Sequence, residues 1–497
     1  MTERRLLLDL LGSVRARSGH HPWPRFQVTP ELWLDLGAGF VDGRFDLLAL
    51  FADGMLVHAV AFEPETQALA VASLVAHGGR FPSLGALHPP ALRLERVILD
   101  LWDLQPEGSP DLRPWLDHGA WPMSRPAAKE PYTFLAVEGQ GLHEIPVGPV
   151  HAGTIEPGHF RFTANGETVA RLEQRLGFVH KGIERLFEGA DLARGARLAG
   201  RVSGDSTVAF ALAFARAAEA ATGCEPPPRA HWLRALLAEL ERLANHIGDF
   251  GFVCNDAAYA LLHAHCGILR EEVLQACDAC FGHRLMMDRV VPGGIAADLD
   301  RDGAARLSRL TALLRRRIAE LATHYDAVPS LQDRTVGTGV ARPEFVRRFA
   351  AGGFVGRASG RAFDARKALP YPPYDALTFQ VPVLGEGDVN ARVWIRLREI
   401  QESLTLVDQI LADLPEGPLL TRVQPAAAEG LGIVEGFRGD VLVWLRLDEA
   451  GTIRRCHPRD PSWFQWPLLE TAIEGNIVAD FPLCNKSFNC SYAGCDL

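Results

Sequence analysis

The sequence predicts an α+β protein in which a small α/β section comes first and a larger, mainly helical section with a small β part follows. Three observations predict this arrangement. Short apolar runs of strand length crowd the chain up to Leu101. Three prolines within residues 121–131 interrupt both helix and sheet. Beyond Glu167, apolar residues recur at helical spacing over long stretches.

The first section opens with a short amphipathic helix between Leu6 and Val14, where leucines repeat at helical spacing. Strand-like runs follow over residues 32–36, 45–51, 55–62, 69–75 and 93–101. A helix followed by several strands predicts a small α/β domain over residues 1–124, which a linker over residues 125–140 joins to the rest of the chain.

The second section, over residues 141–497, begins with short strands and turns as far as Thr163. Apolar stripes then predict long helices over residues 231–247 and 393–414. Near the end, residues 441–447 and 452–455 form a predicted hairpin across a turn that ends at Gly451. We therefore expect helices to dominate this section, with a small sheet late in the chain.

Composition excludes several classes of function. The net charge of −10 argues against a nucleic-acid-binding protein and against a polybasic membrane anchor. No stretch is apolar enough for a membrane helix, and residues 1–10 carry charges where a signal peptide would be apolar. Nine cysteines in a long chain favour reduced thiols. These features predict a cytoplasmic chain that contacts a membrane only through partners.

Five segments carry the functional signal. They cover residues 95–113 (ERVILDLWDLQPEGSPDLR), 145–161 (IPVGPVHAGTIEPGHFR), 178–186 (FVHKGIERL), 201–206 (RVSGDS) and 487–496 (SFNCSYAGCD). Three more segments support them, at residues 434–440 (VEGFRGD), 459–467 (RDPSWFQWP) and 475–482 (GNIVADFP).

Together these segments resemble the large subunits of membrane-bound group 4 nickel–iron hydrogenases, such as those of formate hydrogenlyase and hydrogenase-4. They also resemble the quinone-site subunit of complex I, the NADH-quinone oxidoreductase whose C and D polypeptides can be fused. The resemblance implies a domain like the complex I 30 kDa subunit over residues 1–124. It implies a domain like a hydrogenase large subunit, or the complex I 49 kDa subunit, over residues 141–497.

The sequence departs from the hydrogenase pattern at the metal ligands. Four cysteines hold nickel and iron in those enzymes, and in this register their positions carry Ser203, Ser206, Ser491 and Gly494. Nickel and iron there need soft thiolate donors, whereas serine hydroxyls are hard and stay protonated. Cys484, Cys490 and Cys495 lie near the C-terminal positions, but no cysteine pair faces them at 203 and 206. We therefore expect a cysteine-less variant without a nickel–iron cluster and no hydrogenase activity.

The resemblance also implies roles for residues that are kept. Glu184 stands where a hydrogenase glutamate relays protons, and burial could raise the pKa of such a carboxyl group. Arg438 stands where an arginine overhangs the active-site iron, although Phe437 replaces the usual proline. Asp205 is a further proton-carrying candidate. His151 and His159 lie in the hairpin from which a complex I histidine contacts quinone. No tyrosine occurs in that hairpin or in residues 201–206.

Two hypotheses stay open. In the first, the chain passes electrons from a neighbouring iron–sulfur subunit, similar to the PSST subunit of complex I, to a quinone or another acceptor. In the second, it is a non-catalytic structural and coupling subunit. Both place it beside membrane-arm subunits of the complex I or Mrp-antiporter type. The sequence has no dinucleotide-binding fingerprint, so any NADH would bind another subunit.

Overall fold

The computed structural model describes residues 5–151 and 155–497, and a twisted five-stranded sheet organises the first part of the chain. Its strand order is β1-β3-β6-β5-β4, with β3 and β6 parallel and the other pairs antiparallel. The elements of this part are α1 (Leu7–Leu11), β1 (Ala16–Arg17), β2 (His20–His21), β3 (Arg25–Gln27), α2 (Pro30–Val41), β4 (Asp46–Asp53), β5 (Leu56–Glu63), β6 (Ala68–Val75), β7 (Arg80–Pro82), α3 (Leu92–Trp102) and β8 (Gln105–Glu107).

Two predicted strands of this part are helices. Residues 32–36 lie in α2, which starts at Pro30 and is capped by the Thr29 hydroxyl, which accepts a hydrogen bond from the Leu32 amide. Residues 93–101 form α3, since Leu94, Val97 and Ile98 also fit helical spacing and are buried together. The predicted strands at 45–51, 55–62 and 69–75 are confirmed as β4, β5 and β6.

A three-stranded antiparallel sheet begins the second part, in the order β11-β10-β9. Within the predicted linker lies a single helical turn, α4 (Pro126–Lys129). The strands of the sheet are β9 (Leu142–Val147), β10 (His159–Asn165) and β11 (Thr168–Arg175).

Helices then dominate, as predicted. The central one is α8, which contains the predicted helix at 231–247 and packs against α7, α9 and α15. The elements are α5 (Ile183–Phe187), α6 (Leu192–Ala199), α7 (Thr207–Thr222), α8 (Pro228–Asp256), α9 (Ala260–Phe281), β12 (Val290–Val291), β13 (Gly294–Ile295), α10 (Arg301–Ala327), α11 (Pro329–Thr335), α12 (Pro343–Arg348), α13 (Gly353–Ala358), α14 (Ala365–Ala368) and α15 (Val389–Asp413).

The chain ends in a second sheet and three short helices. The predicted hairpin is confirmed, and the sheet has the order β16-β15-β14-β2. Helix α7 lies across β14, and a Cβ atom at Gly430 would be 2.8 Å from the Ala217 carbonyl carbon. Glycine therefore permits this close approach. The elements are β14 (Glu429–Gly436), β15 (Gly439–Leu447), β16 (Ile453–Arg459), α16 (Ser462–Ala472), α17 (Phe481–Phe488) and α18 (Ala493–Asp496).

The first and second sections share a sheet and a core. Strand β2 pairs in parallel with the start of β14. Arg25 forms an ion pair with Glu429 at 2.8 Å. The Trp444 ring packs against Phe51 and His58, with ring centroids 5.2 and 5.3 Å away. The mixture of helix and sheet confirms the predicted α+β class. Within the described ranges, no helix is long and apolar enough to cross a membrane.

Removing the Trp444 side chain tests how strongly the two sections depend on each other. Trp444 is fully buried, so Trp444→Ala is expected to lower the free energy of unfolding by about 3–5 kcal/mol. Urea unfolding of both forms measures the difference. Leu261→Ala, at a side chain 53% exposed, is the control and should change the same quantity by no more than about 0.5 kcal/mol. Equal effects of the two substitutions would show that the shared core contributes nothing.

Candidate functional site

The structure brings the four replaced ligand positions together, although they lie almost three hundred residues apart in sequence. Ser203 and Ser206 flank a short 3-10 turn before α7, and Ser491 and Gly494 lie where α18 begins. The Ser203 and Ser491 hydroxyl oxygens are 2.8 Å apart. The Gly494 amide donates to the Ser491 hydroxyl oxygen at 2.9 Å. These contacts support the register in which the four positions were assigned.

An ion pair between Arg438 and Asp205 fixes one side of this group. Arg438 lies in the turn between β14 and β15 and is buried. Its Nη1 and Nη2 atoms donate to Asp205 Oδ1 and Oδ2 at 2.7 and 2.5 Å. Burial alone would raise the pKa of Asp205, but Arg438 and the Ser203 and Ser206 hydroxyls hold the pKa below its ordinary value. Asp205 is therefore an ionised carboxylate with a fixed cation.

An open cavity of about 590 Å³ lies beside the serines and the ion pair. Its walls come from the turn before α7, the end of α8, the β14–β15 turn and the C-terminal segment. The residues that line it are Ile155, Glu156, Ser203, Gly204, Asp205, Phe252, Asn255, Asp256, Arg438, Pro482, Asn485, Lys486, Asn489, Cys490, Ser491, Tyr492 and Ala493. The cavity is thus lined with hydroxyl, amide and charged groups as well as apolar surface.

Tyr492 is a cavity residue that the sequence analysis missed. Its ring packs edge-on against Trp466, with ring centroids 4.8 Å apart. Its hydroxyl oxygen accepts from Asn485 at 3.5 Å, and within the described ranges the hydroxyl proton has no acceptor. The search for a tyrosine covered residues 145–161 and 201–206, whereas Tyr492 directly follows Ser491 in another segment. That adjacency was the available signal.

The groups at the four positions do not fit the nickel–iron cluster that the resemblance implies. They present three hydroxyls and no thiolate. A side chain at Gly494 would also meet Asp460, because a Cβ atom there would lie 2.6 Å from Asp460 Cγ. Asp460 is buried, and burial raises the pKa of its carboxyl group. Among the described residues, no three or more His, Cys, Asp or Glu side chains are placed to hold a metal ion.

The nearby cysteines do not replace the missing thiolates. Cys490 lines the cavity, but burial raises the pKa of its thiol and favours the protonated form. Burial likewise raises the pKa of Cys484 to about 11 and raises that of Cys495 further. All three are buried free thiols that behave as small apolar side chains.

Glu184 does not lie on the cavity. It lies at the start of α5, where its carboxylate contacts Arg455 at 2.9 Å and His457 at 2.5 Å. Burial alone would raise the pKa of Glu184, but Arg455 and His457 lower it to about 2. The expectation of a raised pKa is therefore wrong, because both partners come from β16, about 270 residues further along the chain.

The two histidines of the predicted quinone hairpin do not line the cavity. His151 Nε2 lies 2.7 Å from the Gly158 carbonyl oxygen, and His159 Nδ1 lies 3.1 Å from that of Gly148. Both rings are thus bound to the backbone of their own hairpin. Ile155 and Glu156 are the residues of this hairpin that reach the cavity, and residues 152–154 lie outside the described ranges.

Comparisons with known proteins agree with the fold and the site. Residues 262–429 match the family described as the 49 Kd subunit of respiratory-chain NADH dehydrogenase. Formate hydrogenlyase subunit 5 of Escherichia coli K12 is 31% identical over 441 residues, which cover 84% of this chain and 77% of the relative. One of the polypeptides of the NADH-quinone oxidoreductase of Syntrophobacter fumaroxidans is 30% identical over 362 residues, which cover 70% of this chain and 95% of that relative.

One solved structure is also similar. A chain of the membrane-bound sulfane sulfur reductase, an archaeal respiratory membrane complex, superimposes with a TM-score of 0.68 and 25% identity. The match covers 72% of this chain and 99% of that one. The fold and the site thus define a large subunit of the type found in membrane-bound hydrogenase and complex I-like assemblies. The chain belongs to the family of the complex I 49 kDa subunit and the formate hydrogenlyase large subunit.

A substitution at Gly494 tests whether Asp460 fills the fourth ligand position. Gly494→Ala is expected to lower the free energy of unfolding by about 1–3 kcal/mol, since the added methyl group overlaps the carboxyl group. In an Asp460→Ser background, which shortens the opposing side chain, the same change should cost less. Gly204→Ala is the control, because a Cβ atom there has nothing within 4 Å. An identical cost in both backgrounds would contradict the assignment.

Proposed function

We propose that this chain is the large peripheral-arm subunit of a membrane-associated oxidoreductase complex and that its cavity binds a two-electron acceptor such as a quinone. Electrons reach the acceptor from an iron–sulfur cluster in a neighbouring small subunit. The chain attaches to the inner face of the cell membrane through membrane-arm partners of the complex I or Mrp-antiporter type. The site works without a nickel–iron cluster.

The open cavity at the four replaced positions carries this proposal. A chain that had kept only a structural role would have no need of open space there, and side chains would fill it, because protein interiors pack closely. Here about 590 Å³ remains open, and Arg438, Asp205 and two serines face it. This arrangement of apolar surface with a few converging polar groups is typical of small-molecule sites.

The lining groups suit an acceptor that has carbonyl oxygens. A quinone takes up two electrons and two protons to become a quinol, so donors and proton carriers must face its oxygens. The Tyr492 hydroxyl can donate a hydrogen bond to one carbonyl oxygen. The Ser203 and Ser491 hydroxyls form a hydrogen-bonded pair that ends on Asp205, which can accept a proton and return it.

A structural and coupling role without chemistry is the alternative, and the position of Glu184 favours it. Arg455 and His457 hold this carboxylate ionised and away from the cavity, so the proton relay implied by the resemblance is not assembled here. The cavity argues for the redox hypothesis and Glu184 for the coupling hypothesis. Measurement of electron flow into an acceptor separates them.

Filling the cavity is the direct test. The complex is purified through a tag on this chain, and its metals are measured. Its iron–sulfur signals are followed spectroscopically while a quinol reduces it and a quinone reoxidises it. Gly204→Phe places a ring in the open space and is expected to slow reoxidation at least about tenfold, because it removes the acceptor's binding contacts.

Gly267→Phe is the matched control. Gly267 is exposed on α9, and a Cβ atom there also has nothing within 4 Å. This variant should reoxidise at the wild-type rate. Wild-type clusters that do not respond to quinone would leave the coupling role as the better account. Stoichiometric nickel in the complex would overturn the metal-free assignment.

A further inference from the structure

A network of buried charges lies on the far side of α8 from the cavity. It joins α8, α13, α14, α15 and β14, and each of its side chains is at most 3% exposed. Three of its members are guanidinium groups and four are carboxylates. They are Arg242, Arg357, Arg366, Glu239, Asp364, Glu399 and Glu435.

Arg357 is the centre of one half of the network. Its Nε donates to Glu399 at 2.7 Å, and its Nη1 donates to Glu435 at 2.9 Å. His246 Nε2 lies 2.7 Å from the other oxygen of Glu399. Arg357 therefore bridges two carboxylates, and one of those carboxylates also faces a histidine.

Arg366 is the centre of the other half. It binds both oxygens of Asp364, at 3.0 and 2.7 Å, and binds Glu239 at 2.9 Å. Glu239 also accepts from Tyr374 and Ser403, and Arg242 contacts it at 3.3 Å. All the strong donors of this half are thus used by Asp364 and Glu239.

The count of charges does not balance. Four carboxylates against three guanidinium groups leave a charge of −1 when His246 is neutral. An uncompensated charge in a protein interior costs several kcal/mol, so binding one proton is favourable. Because burial lowers the pKa of His246, the imidazole is a poor place for that proton. The proton then falls to the carboxylate with the weakest support.

Glu435 is that carboxylate. Burial and Asp364 raise the pKa of Glu435 to about 7, and Arg357 and Arg242 oppose the rise only in part. Asp364 and Glu399 have their pKa values held below the ordinary range by Arg366 and Arg357 respectively, although burial opposes this. The groups that face Glu435 from the neighbouring elements are Arg242, Arg357, Asp364, Tyr371 and Asp440.

The network is joined to the cavity through two short connections. Glu435 and Arg438 belong to one turn, and Arg242 holds the carbonyl oxygens of Glu435 and Gly436 at 2.7 and 2.9 Å. On the other face of α8, Asn245 donates to the Asp205 carbonyl oxygen at 2.8 Å. A change of charge in the cavity is therefore felt by the network across one helix.

We propose that this network is a buried proton-binding site, in which Glu435 holds one exchangeable proton that balances the charge of the cluster. Release converts the Glu435 carboxyl group to a carboxylate and a free proton, with no other bond broken. Resting on the proposed function, the inference adds that negative charge arriving on an acceptor in the cavity strengthens the hold on this proton. Proton binding itself is testable without any acceptor.

Counting protons on unfolding tests the site. The pKa of Glu435 is raised from 4.5 to about 7, so between these values the folded chain binds a proton that the unfolded chain does not. The stabilisation is complete below the unfolded pKa and is lost as the pH rises through about 7. When the full chain is unfolded by urea at about pH 6 in weak buffer, an indicator dye should show one proton fewer released by Glu435→Gln than by wild type.

Asp364→Asn is the second variant, and it protects the test against misfolding of the first. It leaves three carboxylates and three guanidinium groups, so Glu435 should ionise and the extra proton should again be missing. Glu416→Gln, at an exposed position, should release as many protons as wild type. Equal proton release by wild type and both network variants would overturn the inference. That result would leave the proposed function untouched, because acceptor reduction is measured separately.

Discussion

Charge that is taken out of water must be compensated, and the interior of this chain is arranged around that requirement. Asp205 is held by Arg438, Glu184 by Arg455 and His457, and the cluster beyond α8 by three arginines. Each pairing joins segments that are far apart in sequence. The ion pairs therefore specify which strands and helices meet, and they leave open one cavity whose walls these segments supply.

The absence of cysteines at the four ligand positions is matched by changes around them. Ser203 and Ser491 bind each other, and Asp460 occupies the space that a side chain at 494 would need. The site is thus packed and hydrogen-bonded for the residues it now has. Its relatives include subunits of formate hydrogenlyase and of NADH-quinone oxidoreductase, so one scaffold serves different acceptor chemistries.

The sequence predicted the fold class, the late hairpin and the meeting of the four ligand positions, because local periodicity and motif register carry that information. It failed where the decisive contacts are distant. Residues 93–101 fit both strand and helix spacing, and packing against the first sheet decides for the helix. The pKa of Glu184 depends on two residues of β16, and the exclusion of His151 and His159 from the cavity depends on hairpin geometry. Neither can be read from neighbouring residues.

Strand β2 has a consequence for how the chain withstands self-association. Its two residues cover the start of β14, which would otherwise be the outer edge of the second sheet. An uncovered edge offers free N–H and C=O groups to any other extended segment. By contributing this strand, the N-terminal section shields the part of β14 that it pairs with, so a nascent or clipped chain without it would carry an adhesive edge next to its own core.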